Sequence, residues 1–287
     1  MQYFLSAPCN IHCLPGEDHA MTRPERFRVN TAMNKPRCGL ECDIMNRIQQ
    51  KKRSDSIRWP QLSKGKLIKR YKRFLADVAL ESGEVVTAHC PNTGSMQGCS
   101  EPGRTVYLSY HDSPKRKLKY TWELIDMPTS LVGVNTLVPN RLVAQSIVAG
   151  RIKELRGYAD LQREVKIGDR SRIDLLLTGG DRRRCYIEIK NCTLVTDGIA
   201  CFPDAVTTRG QKHIRELQKL AASGHRCVMF YFIQRMDAGV FKPADQIDQA
   251  YGRALRGAVQ NGVEALAYDV HIDLDAIRMR KKLPCRL

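Results

Sequence analysis

No apolar run in this chain approaches the roughly 20 residues that a membrane-spanning helix requires, so a helical integral membrane protein is excluded. The first residues, MQYFLSAPCNIHC, have no basic leading region and only a short apolar patch, so no signal peptide is expected. Acidic residues are scarce beside basic ones: 30 Asp and Glu face 47 Lys and Arg, a formal net charge of +17. That excess favours a polyanionic partner, nucleic acid or an anionic membrane surface, without choosing between them. Aromatic residues make up only 7% of the chain, but 43% of its 287 residues are hydrophobic, enough for a sizeable core. Cysteine is plentiful at 11 residues, an odd number scattered along the chain. Without an export signal these read as reduced thiols and point to a cytoplasmic protein.

Residues 1–60 have little periodicity, carry Pro8, Pro15, Pro24, Pro36 and Pro60, and include the basic run Lys51-Lys52-Arg53. They are expected to form an irregular or flexible extension, and Met21, Met33 and Met45 leave room for a later start. The pairs Cys9/Cys13 and Cys38/Cys42, with His12 and His19 nearby, allow a zinc site or coincidental thiols.

From Lys64 to about Val134 the pattern is one of short strands and turns: KLIKRYKRFLADVAL read as one long strand, then VVTAHC, RTVYLSY, YTWELID and SLVGVN. Such spacing suggests a small antiparallel barrel or sandwich over residues 61–135. In the first strand Lys66, Lys69, Arg70, Lys72 and Arg73 interleave with Tyr71 and Phe74. This is either a charged, solvated edge or a nucleic-acid face in which cations meet phosphates and rings stack on bases. The loop HCPNTGSMQGC lacks the Gly-Lys-Ser/Thr ending of a nucleotide P-loop and reads as a turn, or as an anion contact through Asn92, Thr93 and Ser95.

Residues 136–287 change grammar. NRLVAQSIVAGRI is helix-like; REVKI, SRIDLLL and CYIEIKN are strand-like. TRGQKHIRELQKLAASG and PADQIDQAYGRALRGAVQNG read as helices closed by Gly224 and Gly262, each followed by a strand, RCVMFYFI and VEALAYDV. The expectation is a mixed sheet, antiparallel at first and parallel later, flanked by helices.

Alternation along a strand gives Tyr186, Glu188 and Lys190 one face and Ile187 and Ile189 the other. A hairpin centred near Asp181 sets Asp174 opposite Glu188. Two facing carboxylates repel, whereas a divalent cation such as Mg²⁺ or Mn²⁺ reverses the sign, with Lys190 beside it to orient a water or offset phosphate charge. The same pattern also fits an ordinary exposed hairpin face. The all-apolar CVMFYFI next door, a strand covered on both faces, favours the site. Glu164 and Gln211 are accessory candidates, Arg209 and Lys212 could hold a phosphate, and Asp204 is read as a turn residue rather than a ligand. His213 is taken as surface or packing.

The blocks KRYKRFLADV, HCPNTGSMQGC, YTWELID, RSRIDLLL, CYIEIKNCTL, FPDAVTTRGQKHIREL and GVEALAYDV, in that order, resemble the sugar fermentation stimulation protein family of bacteria and archaea. The resemblance starts near Lys64 and does not reach residues 1–60. It implies an N-terminal OB-like β-barrel followed by a PD-(D/E)XK nuclease-like α/β domain with a mixed sheet flanked by helices. It implies DNA as partner and a link to regulation of maltose metabolism. In the nuclease pattern Asp174 is the first acid and Glu188 and Lys190 the E-x-K, while Ile173 replaces the usual proline. Two functions follow as expectations: a DNA-binding protein with a Mg²⁺-dependent phosphodiesterase site, or a non-catalytic DNA-binding regulator that keeps the nuclease fold as a scaffold.

Overall fold

The stretch expected as one long strand folds back on itself. β2 (Leu62–Tyr71) ends where Lys72 and Arg73 take φ of 49° and 66°, and the chain returns as β3 (Leu75–Leu80). Two successive left-handed residues reverse the chain tightly, although neither is Gly or Asn. The computed structural model describes residues 55–287 apart from 169, 170 and 181. The cysteine pairs Cys9/Cys13 and Cys38/Cys42 lie outside the described residues.

β4 (Val85–His89) pairs with β3, β5 (Thr105–Tyr110) with β2, and β6 (Tyr120–Met127) with β5. A parallel contact between β4 and β6, Ala88 opposite Tyr120, closes a five-strand barrel, and β7 (Ser130–Gly133) adds to β6. Closure leaves few bare edges and encloses Leu67, Val78, Leu108, Trp122 and Ile125, each at most 1% exposed. This is the expected OB-type barrel.

The C-terminal sheet has the order β1 (Ser56–Arg58), β16 (Ala276–Leu283), β15 (Val263–Ile272), β13 (Arg226–Ile233), β10 (Cys185–Cys192), β9 (Ser171–Thr178), β8 (Asp160–Ile167). β8, β9 and β10 are antiparallel, whereas β13 and β15 run parallel to β10. α1 (Val138–Val148) covers one face through Leu142, Val143 and Ile147 against Ile187 and Ile189. α2 (Thr208–Ala222) and α3 (Asp245–Gln260) cover the other through Ile214, Leu217, Tyr251 and Leu255. β13 is buried on both faces, as its all-apolar sequence requires. Gly224 and Gly262, with φ of 83° and 87°, close the two helices in a conformation that costs glycine little. β11 (Leu194–Thr196), β12 (Ile199–Phe202) and β14 (Val240–Pro243) form a small separate sheet.

Residues 56–58 depart from the irregular structure expected of them. β1 (Ser56–Arg58) pairs antiparallel with β16 (Ala276–Leu283), and Ile57, opposite Ile277, is 4% exposed in the core shared with α1. Trp59 follows with its indole N–H on the carbonyl of Asp273 at 2.9 Å. Burial of one isoleucine and satisfaction of the β16 edge outweigh the weak local signal. No helix among the described residues is long and apolar enough to cross a membrane.

Candidate active site

The sheet splits at Asp174. β10 pairs with β13 over all of Cys185–Cys192, but with β9 only from Cys185–Leu177 to Ile187–Leu175. These pairs have the register that hairpin symmetry predicts, and the ladder stops one position short of Asp174 and Glu188. On the other side, β8 and β9 pair on both sides of Asp174 while Glu164 turns out with φ of 53°. Asp174 therefore stands at a break in both ladders. Its Oδ2 accepts the Ile189 N–H at 2.7 Å, and its Oδ1 accepts from the Asn140 amide of α1 at 2.8 Å. A side chain thus takes the backbone donor, and the strands part.

The parting opens a cleft of about 840 Å³. Asp174, Glu188 and Glu164 line it together with Lys166, Arg172, Lys190, Arg209 and Lys212, so five cations outnumber three carboxylates. Glu188 lies at the bottom, 3% exposed. Its Oε1 accepts from Lys190 Nζ at 2.6 Å and bonds with Nδ1 of His213, which stands 3.3 Å from the same Nζ. Burial, reinforced by the charge of Glu188, pushes the Asp174 carboxyl up to about 6. Burial also pushes Glu188 up, but the His213 hydrogen bond and the Lys190 ammonium outweigh it and hold the group below its usual range. Two neighbouring carboxyls driven apart in this way divide into one easily protonated and one firmly ionised group.

Asp174, Glu188, Lys190 and Glu164 come together as the sequence suggested, whereas Gln211 does not join them. Its amide donates to Asp248 at 3.2 Å, and Asp248 also accepts from Thr207 N and Tyr251 N, joining α2 to α3. His213, expected at the surface or in packing, belongs to the site, two positions further along α2. Asp204 is a docking residue, as a turn reading allows: it takes Met96 N–H at 2.9 Å, while its carbonyl accepts from Ser95 Oγ at 2.7 Å. Within this loop Ser95 Oγ and the N–H groups of Gly94 and Met96 are used on the protein itself.

Asn140 was not foreseen. It shares a helix face with Val143, Ala144 and Ile147, and a lone polar residue on such a face was the available signal. Its helix is held from the barrel: Glu123, 4% exposed, accepts from Ser109 Oγ at 2.7 Å and from Asn135 Nδ2 at 2.8 Å. Asn135 Oδ1 in turn accepts from Leu137 N at the start of α1. A bonded path therefore runs from the barrel core through α1 to Asp174.

The barrel cations differ among themselves. The Arg70 guanidinium donates to the carbonyls of Arg73, Asn92, Gly94 and Ser95 at 2.8 to 3.3 Å, so it acts as a strut for the hairpin and loop rather than as a free phosphate contact. Lys66 bonds Thr105 Oγ1 at 3.0 Å, and Lys69 lies 3.6 Å from Asp77 and over the Tyr71 ring. Lys72 and Arg73 stay exposed at the hairpin tip.

No group of three His, Cys, Asp or Glu side chains that could hold a metal ion occurs among the described residues. Two carboxylates suit a hard cation that keeps several waters. The Oδ1 of Asn191, buried without a partner, lies on a residue that lines the same cleft and adds a neutral oxygen.

Both regions of the chain match known proteins. Residues 137–276 match the sugar fermentation stimulation protein RE domain, and residues 68–134 match the SfsA N-terminal OB domain. A sugar fermentation stimulation protein homolog of Geotalea uraniireducens is 54% identical over 221 residues, 77% of this chain and 95% of the relative. The homolog of Geobacter sulfurreducens is 54% identical over 223 residues, 78% and 95%. Among solved structures, SfsA of Pyrococcus furiosus, in complex with Ca²⁺, superposes with a TM-score of 0.74 at 26% identity, covering 80% of this chain and 98% of that one.

Proposed function

The chain belongs to the sugar fermentation stimulation protein family, and from that premise we propose that it binds DNA and carries a divalent-metal-dependent phosphodiesterase site. The observation that carries the reading is the split at Asp174, which opens a half-buried and a buried carboxylate and a lysine to one cation-rich cleft. Asp174 and Glu188 would hold the ion, Mg²⁺ or Mn²⁺, with Glu164 on the same cleft as an accessory carboxylate. The Pyrococcus relative was solved with Ca²⁺, another hard, oxygen-preferring ion, which supports that choice. A divalent cation there supplies charge stabilisation at a phosphate and eases ionisation of a water.

The chain's own residues do the rest. Lys190, fixed between Glu188 and His213, presents an ammonium to the cleft and donates to a phosphate oxygen or an entering water. Arg209 and Lys212 bring positive charge to the first turns of α2, where the helix dipole already favours an anion. Lys66, Lys69, Lys72 and Arg73 of the barrel add sequence-independent phosphate contacts. We take the domains as a barrel at 61–135 and a nuclease-like domain at 136–287, a division supported by the matched ranges. We also place the protein in the cytoplasm, on the seven described cysteines, all free.

The test incubates single- and double-stranded DNA with Mg²⁺ or Mn²⁺ and wild type, Asp174→Asn or Lys190→Ala. Cleavage by wild type that both variants lose is expected. Intact DNA binding without cleavage of any substrate would overturn the enzymatic reading in favour of a scaffold regulator, including one of maltose metabolism.

A further inference from the structure

Two highly exposed apolar side chains, next in sequence to residues that line the cleft, have no part in this chemistry. Leu137 is the N-cap residue of α1, and Val206 precedes Thr207, the N-cap of α2. They are 74% and 70% exposed, the highest values among the exposed large hydrophobic side chains of the described residues. An apolar residue just before a helix cap ordinarily packs onto the fourth helical position. For Val206 that position is Gln211, whose amide is engaged by Asp248, so the valine has no apolar seat.

Both residues stand next to residues of the cleft. Thr136 and Pro139, on either side of Leu137, line it, and so does Arg209, three positions after Val206. A single loop brackets them: Thr136 Oγ1 donates to the Pro91 carbonyl at 2.9 Å, and Ser95 Oγ donates to that of Asp204 at 2.7 Å. Phe74 of the barrel, 46% exposed, lies beside the start of that loop, its carbonyl accepting the Cys90 N–H at 2.8 Å.

Apolar lips beside cations, above a carboxylate that is 3% exposed, suit one form of nucleic acid better than the other. A duplex stacks its bases inside and offers the rim phosphate and sugar. A single strand offers base faces as well, against which apolar side chains gain free energy. We propose that the cleft takes single-stranded or locally unstacked DNA, with phosphates on Arg209 and Lys212 and bases against Leu137 and Val206. The inference rests on the functional reading above and names its substrate class.

The test measures fluorescence anisotropy of the full chain with a labelled 20-nucleotide strand and with its duplex, in EDTA, over a salt series. Wild type should bind the single strand about tenfold more tightly, the effect of covering one or two apolar side chains. The double variant Leu137→Ser/Val206→Ser should bring the two affinities within about twofold, with an unchanged salt slope because no charge is removed. Leu137→Met/Val206→Ile should keep the preference, which separates loss of the lips from loss of the fold. Equal or tighter duplex binding by wild type, or a preference that survives the serine pair, overturns the inference and leaves the functional reading standing. Binding of neither DNA overturns both.

Discussion

Glu123 in the barrel and Glu188 in the mixed sheet are hidden to nearly the same degree, 4% and 3% exposed, in opposite surroundings. The partners bonded to Glu123 are neutral, a serine hydroxyl and an asparagine amide, and it holds a seam together. Glu188 is bonded to a lysine and a histidine at the foot of a cleft and faces a second carboxyl. Burial of a carboxylate therefore does not define a site. The lysine and histidine partners, the break in the ladder and the open path to solvent do.

The largest expected effect tests the reactive side of this contrast. Glu188→Gln should lower metal-dependent cleavage by more than about 100-fold, read by single-turnover cleavage, while Glu123→Gln, if it folds, retains turnover. Loss in both would erase the distinction.

Stability should move in opposite senses. Asp174 has its folded pKa raised to about 6 from 3.8. Its contribution is fully present below the unfolded value and is lost as pH rises through about 6. Asp174→Asn should therefore be more stable than wild type at pH 7 by on the order of 2 kcal/mol, allowing for its partial exposure, and equal to it near pH 3.5. Urea midpoints across pH check this, and a variant less stable at pH 7 contradicts it. In the barrel, Glu123→Leu should cost about 2 kcal/mol by leaving Ser109 and Asn135 unpaired.

Smaller effects concern the path between the two regions. Asn140→Ala should weaken metal binding by about tenfold in calorimetry without shifting the melting temperature much, as expected for a residue that orients a ligand. Neutralising Lys72 and Arg73 should lower the salt slope of DNA binding by about one each, whereas Arg70→Gln should loosen the loop instead. An equal slope change for Arg70 would mean that its carbonyl partners release it.

Much of this was legible because it is local or periodic. Period-two alternation in CYIEIKN, symmetry of the hairpin, the apolar run of β13 and the glycine stops of α2 and α3 fix strands, register and helices. Other features depend on partners distant in sequence. The ladder stops because Asp174 captures a backbone N–H 15 residues away, and Asn140 reaches it across 34. His213 becomes a site residue only when α2 lays it against β10, while Gln211, two positions earlier, turns towards α3. Arg70 reads as a free cation until the Asn92–Ser95 carbonyls surround it. The turn at Lys72-Arg73 lacks the glycine or asparagine that announces left-handed backbone.

The short strand β1 has a practical consequence. A shortened chain starting at Gln61 would retain both family-matched regions, yet it would lose Ile57 from the interior and the Trp59 anchor on Asp273. It would also bare the outer row of N–H and C=O groups on β16, a template for pairing with a neighbouring molecule. Aggregation of such a fragment would then report a missing edge strand rather than a domain unable to fold.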